Sequence, residues 1–148
     1  MITIYTDGSH FKKQGRLGIG GILVKDGRKI DQFSLEITKD WLIRNYNTPD
    51  CSNPTMELLA VLVAIRKFSG QIKGQEVMVK ADYTGVSNWM TGKWKTSLPY
   101  ISAIKQEIEE EVSKLLVRVK YVWIKGHQSV LSEDAYWNNE TDKLAKGE

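Results

Sequence analysis

The sequence predicts an α/β fold: a mixed five-stranded sheet with helices on both faces. Three observations predict it. Runs of alternating apolar and polar residues flank an Asp26-Gly27 dipeptide near the start of the chain. Long apolar or helically periodic stretches dominate from Asn53 onward. Two short β-branched runs, 76–81 and 117–124, are interleaved with them. Three consecutive strands followed by strands alternating with helices need helices to cover the sheet. Right-handed crossovers then make strands one, four and five parallel.

Each element has its own signal. Residues 1–6 alternate and read as a strand that ends at Asp7-Gly8. The Gly-rich apolar run 17–24 is the second strand, and 29–37 alternates again as the third. Asp-Gly between them signals a hairpin, because both residues tolerate positive φ. Residues 38–52 are punctuated by Asn45, Asn47, Pro49 and Asp50 and read as a long loop with at most a short helical turn. Asn53-Pro54 opens a helix, Asn as the cap and Pro in the first turn. From Met56 to Phe68 nearly every residue is apolar, so that helix is expected to be buried on most sides, ending at Gly70 and Gly74. A strand over 76–81, a short helix over 83–90 and a Trp- and Lys-bearing loop over 91–97 follow. Pro99 opens a longer helix whose stripe Ile101, Ile104, Ile108, Val112 and Leu115 has helical spacing. Residues 117–124 form the fifth strand, 126–137 a loop and 138–146 the last helix.

Composition narrows the function. At 148 residues the chain is expected to be one domain spanning 1–148, large enough for a core without disulfides or a structural metal. Lys and Arg total 21 against 18 Asp and Glu, a net charge of +3 that permits an anionic partner without demanding one. Cys51 is the single cysteine, which excludes an intrachain disulfide and a cysteine zinc site. A reducing, cytoplasmic setting is the expectation. The longest apolar run, Leu58 to Ile65, is eight residues, against the ~20 that a membrane helix needs. The start lacks a basic leader and a cleavage site, so no signal peptide is expected.

Four carboxylates stand at telling places: Asp7 after strand one, Asp82 after strand four, Glu57 in the first turn of the apolar helix, and Asp142 near the start of the last. Sites in open α/β sheets form outside the carboxyl ends of the parallel strands. Strands one and four should be neighbours there. Singly, each acid has an ordinary explanation. Asp7-Gly8 could be a turn, Asp82 a helix cap, and Glu57 and Asp142 answers to helix dipoles. Together they repel and raise one another's pKa unless a cation neutralises them. Oxygen-only ligation favours Mg²⁺ or Mn²⁺. Two such ions about 4 Å apart can activate water and stabilise the leaving oxygen of a phosphodiester.

The segments Ile4-Tyr5-Thr6-Asp7-Gly8-Ser9, Asn53-Pro54-Thr55-Met56-Glu57-Leu58, Ala81-Asp82, Trp123-Ile124-Lys125-Gly126-His127 and 138–145 (Asn-Asn-Glu-Thr-Asp-Lys-Leu-Ala) occur in this order. Together they resemble type 1 ribonuclease H over essentially the whole chain. The resemblance implies the ribonuclease H-like fold. It also implies a two-metal endonuclease, with Mg²⁺ or Mn²⁺, that hydrolyses the RNA strand of an RNA–DNA hybrid duplex and leaves 5′-phosphate and 3′-hydroxyl ends. Asp7, Glu57, Asp82 and Asp142 correspond to the metal-binding acids, and His127 to a histidine that assists proton movement or product release. Gly8, Ser9, Asn53 and Met56 would line the RNA side, where 2′-hydroxyls are read across a shallow minor groove. Trp89, Lys93, Trp94 and Lys95 would meet the DNA strand in a shortened basic segment, with Thr84 nearby. A monomer is expected.

The chain departs from that pattern in three places. The interval from Asp7 to Glu57 is long, with the excess near residues 41–51. Asn139 stands where an acid often follows the asparagine of the last motif. The loop over 129–137 lacks the usual Gly-rich spacing. Two other readings stay open. A DNA exonuclease or transposase-like enzyme of the same fold is one, although the exonuclease type would want an acid where Ser9 stands. A catalytically dead nucleic-acid-binding module is the other, and four clustered acids beside a polyanion disfavour it.

Overall fold

The computed structural model describes residues 1–11, 16–50, 52–126 and 132–148, with the side chains at 10 and 11 left undescribed. Strands β1 (Ile2–Phe11), β2 (Arg16–Lys25) and β3 (Arg28–Ile37) form an antiparallel meander. Asp26 and Gly27 make the β2–β3 turn, with φ of 52° and 77°. Helices α1 (Lys39–Tyr46), α2 (Asn53–Lys67) and α3 (Ser69–Ile72) lead to β4 (Glu76–Ala81). Helices α4 (Thr84–Met90) and α5 (Pro99–Leu115), strand β5 (Arg118–Trp123) and helix α6 (Glu133–Ala145) complete the chain. The sheet order is β3-β2-β1-β4-β5, with β1, β4 and β5 parallel, as the alternation of elements predicted.

The two faces are filled differently. Ile2, Ile4, Val77 and Val79 point toward α2 and α5, and Leu58, Leu59, Leu62, Ile65, Ile104 and Ile108 meet them in the main core. Each such side chain contributes roughly 1.5–3 kcal/mol on full burial. The alternate residues face α6. There Tyr5, Ile22, Val24 and Ile124 form a much smaller apolar cluster with Trp137 and Leu144. Helix α6 approaches closely because Gly18 and Gly20 lie beneath it. A Cβ would stand 1.9 Å from the Ala145 carbonyl oxygen at Gly18, and 2.7 Å from the Ala145 nitrogen at Gly20.

Several sequence expectations are corrected. Strand β1 does not end at Asp7-Gly8 but runs on to Phe11, because β2 keeps pairing with it. The 38–52 segment holds a two-turn helix. Thr38 caps it by accepting from the Trp41 amide at 3.1 Å, and Asn47 ends it in the left-handed region. Asn53 is the first helical residue of α2, and Ser52 occupies the cap position without a side-chain cap bond. Gly70 lies within the short helix α3, and α2 has already ended at Lys67. Helix α6 begins at Glu133, five residues before the sequence expectation, because Ser132 accepts from the Ala135 amide at 3.0 Å. Asp142 therefore lies in its third turn rather than near its start.

Candidate metal centre

Strands β1 and β4 stop pairing at Tyr5 and Lys80, while β1 continues along β2. Asp7 and Asp82 each lie two residues beyond that last pair, at the carboxyl ends of two adjacent parallel strands. Glu57 reaches them from the second turn of α2. That helix packs against β1 at Gly8, where a Cβ would lie 2.4 Å from the Met56 carbonyl carbon. Only glycine fits there.

One ligand oxygen from each of Asp7, Glu57 and Asp82 lies within 4.8 Å of the other two. Asp7 and Glu57 are 3% and 5% exposed, so two acids are buried side by side. The Gly8 amide donates to Asp7 Oδ1 at 3.0 Å and to Glu57 Oε1 at 3.2 Å. Among the described residues, Glu57 Oε2 is buried with no hydrogen-bond partner. The Asn138 amide donates to Asp82 Oδ2 at 3.3 Å, and the Trp123 indole donates to the Asp82 carbonyl at 3.0 Å. A Cβ on Gly126 would lie 2.9 Å from Asp82 Oδ2, so the chain leaving β5 passes directly against this carboxylate. Asp142 stands beside this group and helps raise the Asp7 pKa, and Lys146 Nζ, at the end of α6, donates to its Oδ2 at 2.9 Å.

The electrostatics follow. Burial, then the neighbouring Glu57 charge, raises the Asp7 pKa well above the ordinary carboxylate range. Burial also raises that of Glu57, with the Asp82 and Asp142 charges adding to it and hydrogen bonds from Asp7 and Gly8 opposing it. The pair therefore holds a proton where isolated acids would not. An oxygen-only cluster with a buried, unpartnered Glu57 oxygen suits a hard divalent cation.

The other sequence-selected residues are distributed around this cluster. Ser9 is half-buried, while Asn53 and Thr84 are exposed. Gly8 is buried with its amide committed to the two acids, and Met56 is wholly in the core, so neither offers a side chain to a groove. Trp89 is half-buried against the core and meets Trp94 edge-on at 5.9 Å, with Tyr83 on another side. Trp94, Lys93 and Lys95 are exposed. His127 lies outside the described residues, as does Cys51. Sequence reasoning missed Asn138 and Lys146 as neighbours of the acids. The Ser132-Glu133-Asp134 start signal, correctly weighed, would have placed 138, 142 and 146 on one helical face.

The comparisons agree with this geometry. The family model described as RNase H matches residues 1–148. A protein named ribonuclease H from Anaplasma marginale (strain St. Maries) is 32% identical, covering 99% of this chain and 89% of its own. One so named from Neorickettsia sennetsu is 28% identical over 98% of this chain and 90% of its own. Among solved structures, LC11-RNase H1, isolated from compost and solved in complex with an RNA/DNA hybrid, superposes with a TM-score of 0.78. It is 20% identical, over 99% of this chain and 95% of that one. The RNase H1 of Halobacterium salinarum gives a TM-score of 0.69 at 19% identity, over 98% and 94% of the two chains.

Proposed function

The chain belongs to the RNase H family and is a ribonuclease H, and from that premise we propose that it hydrolyses the RNA strand of RNA–DNA hybrids at the Asp7–Glu57–Asp82 cluster. The observation that carries this reading is the convergence of those three carboxylates, within 4.8 Å, at the carboxyl ends of β1 and β4. The family match and a structural relative crystallised with an RNA/DNA hybrid support the substrate class.

Asp7, Glu57 and Asp82, with Asp142 at the rim, would hold Mg²⁺ or Mn²⁺, two ions per site. Bound there, the ions supply activation of water and neutralisation of charge on the leaving oxygen, giving 5′-phosphate and 3′-hydroxyl ends. The chain's own residues do the rest. The Gly8 amide fixes one oxygen each of Asp7 and Glu57, and Asn138 fixes one of Asp82. Lys146 orients Asp142 and offsets charge among the acids. His127, which follows Gly126 in the sequence, serves proton movement or product release. Ser9 and Asn53 border the RNA side. Thr84 and the Trp89-to-Lys95 segment border the DNA side. The protein acts as a cytoplasmic monomer. No helix of the described residues is long and apolar enough to cross a membrane.

A labelled hybrid incubated with Mg²⁺ or Mn²⁺ tests this. Cleavage confined to the RNA strand, with ends as stated, is expected, and His127→Ala should slow turnover without abolishing it. An intact hybrid with degraded single-stranded DNA would indicate the exonuclease alternative. Retention of an uncut hybrid on a filter would indicate a binding module.

A further inference from the structure

A polar stripe runs along the sheet-facing side of α6. Asp134, Asn138 and Asp142 are spaced four residues apart, which stacks them on one face. Asn138 donates to Asp82, and Asp142 lies near enough to Asp7 to raise its pKa. Asp134 touches neither, yet it is bonded to both strands that carry them. The Tyr5 hydroxyl donates to Asp134 Oδ1 at 2.6 Å, and Lys80 Nζ lies 2.9 Å from Oδ1 and 3.1 Å from Oδ2. Tyr5 and Lys80 are register partners, the last pair that β1 and β4 make. Two residues further on stand Asp7, on the same face of β1, and Asp82, in the bend just past the end of β4. Lys80 also lies 6.0 Å from the Tyr5 ring centroid, which closes the group on itself.

From this juxtaposition we infer that Asp134 is a positioning residue, clamping β1, β4 and α6 at the point where the two strands diverge and so setting the spacing of Asp7, Asp82 and Asp142 for a divalent ion. The inference rests on the metal-site reading above. The apolar cluster on this face is small, and Gly18 and Gly20 leave α6 lying on bare backbone. Along its length the helix is otherwise tied down by the Asn138–Asp82 bond and, at its far end, by the Ser34 hydroxyl donating to the Leu144 carbonyl. A carboxylate that receives a phenol and an ammonium from two different strands resists both sliding and rotation. An Asn at this position still accepts from both donors through its amide oxygen, whereas Ala accepts from neither.

The test is a calorimetric Mn²⁺ titration of the whole protein, set beside hybrid cleavage at saturating Mn²⁺ and thermal melting without metal. For Asp134→Ala the Mn²⁺ midpoint should rise about 3- to 10-fold, at or below the low end of the roughly 10- to 100-fold that groups bonded directly to a ligand contribute, because Asp134 acts through the strands. The KM for hybrid should stay within about twofold, because uniform substrate binding is untouched. Asp134→Asn should restore most of the Mn²⁺ affinity. Tyr5→Phe removes one hydroxyl, leaves the apolar packing and should raise the midpoint about twofold. It keeps the test decisive if Asp134→Ala does not fold. A wild-type midpoint in either folded variant overturns the inference, even if melting drops, because a merely structural bond would act only there. A wild-type protein that takes up no Mn²⁺ and cuts no hybrid would overturn the metal-site reading instead.

Discussion

The two faces of the sheet carry different burdens. The α2/α5 face is a broad apolar interface in which Leu58, Leu59, Leu62 and Ile104 are completely buried. The α6 face has a small apolar cluster around Tyr5, Ile22, Val24 and Ile124, two glycines that admit the helix, and a row of polar side chains leading to the acids. The contrast teaches a division of labour. Hydrophobic burial on one side supplies stability, and the other side uses it to hold mutually repelling carboxylates together.

The largest effect should come from separating those roles at Asp7. Asp7→Asn should lower hybrid cleavage by at least about 10³-fold, since it removes a ligand and a charge at the reacting centre. Without metal it should raise the melting temperature, because it relieves buried like-charge repulsion. The pH dependence sharpens this. Both Asp7 and Glu57 are raised in the folded protein above their ordinary values of 3.8 and 4.5, so the native state binds more protons than the unfolded one. Metal-free stability should therefore fall as pH climbs above that range, and Asp7→Asn should flatten the slope. Melting curves across pH, with and without Mn²⁺, check both statements.

Leu59→Ala, on the opposite face, should reverse the pattern. Its cavity should cost about 2–5 kcal/mol of unfolding free energy, while Mn²⁺ affinity of the folded fraction stays put. Denaturant titration measures the first and calorimetry the second.

How much of this was legible in the sequence follows the same division. The apolar helix, the Asp-Gly hairpin and the parallel β1/β4 pair can be read because burial and turn chemistry leave local patterns, and the antiparallel opening and parallel β1, β4 and β5 follow from them, though the full strand order does not. The α6 face was harder. Its helix start was misplaced because Tyr136 and Trp137 are not helix signals and the Ser132 cap lies in a stretch that reads as loop. The α1 helix was missed for a related reason: Leu42 is its one buried residue, too few for a period. The acids were found through their motif positions and strand ends. Asn138, Lys146 and the Asp134 clamp depend on contacts between distant segments, which no local pattern records. Asn53 reads as the α2 cap because Asn is a good cap residue, but the backbone enters the helix one residue earlier.

Two glycines give the smaller tests. Gly20→Ala places a Cβ 2.7 Å from the Ala145 nitrogen and 2.8 Å from Leu144 Cβ. It should cost about 1–3 kcal/mol of stability and weaken Mn²⁺ binding as α6 shifts. Gly70 in α3 has nothing within 4 Å of an added Cβ. Gly70→Ala should stabilise by under about 1 kcal/mol and leave the ion untouched. Chemical denaturation paired with the same Mn²⁺ titration distinguishes the two.

The most direct measurement is an anomalous difference map from crystals equilibrated with Mn²⁺. The account predicts density coordinated by Asp7, Glu57 and Asp82 that disappears in Glu57→Gln. Mn²⁺ bound elsewhere on the protein, with these three carboxylates left uncoordinated, would contradict it.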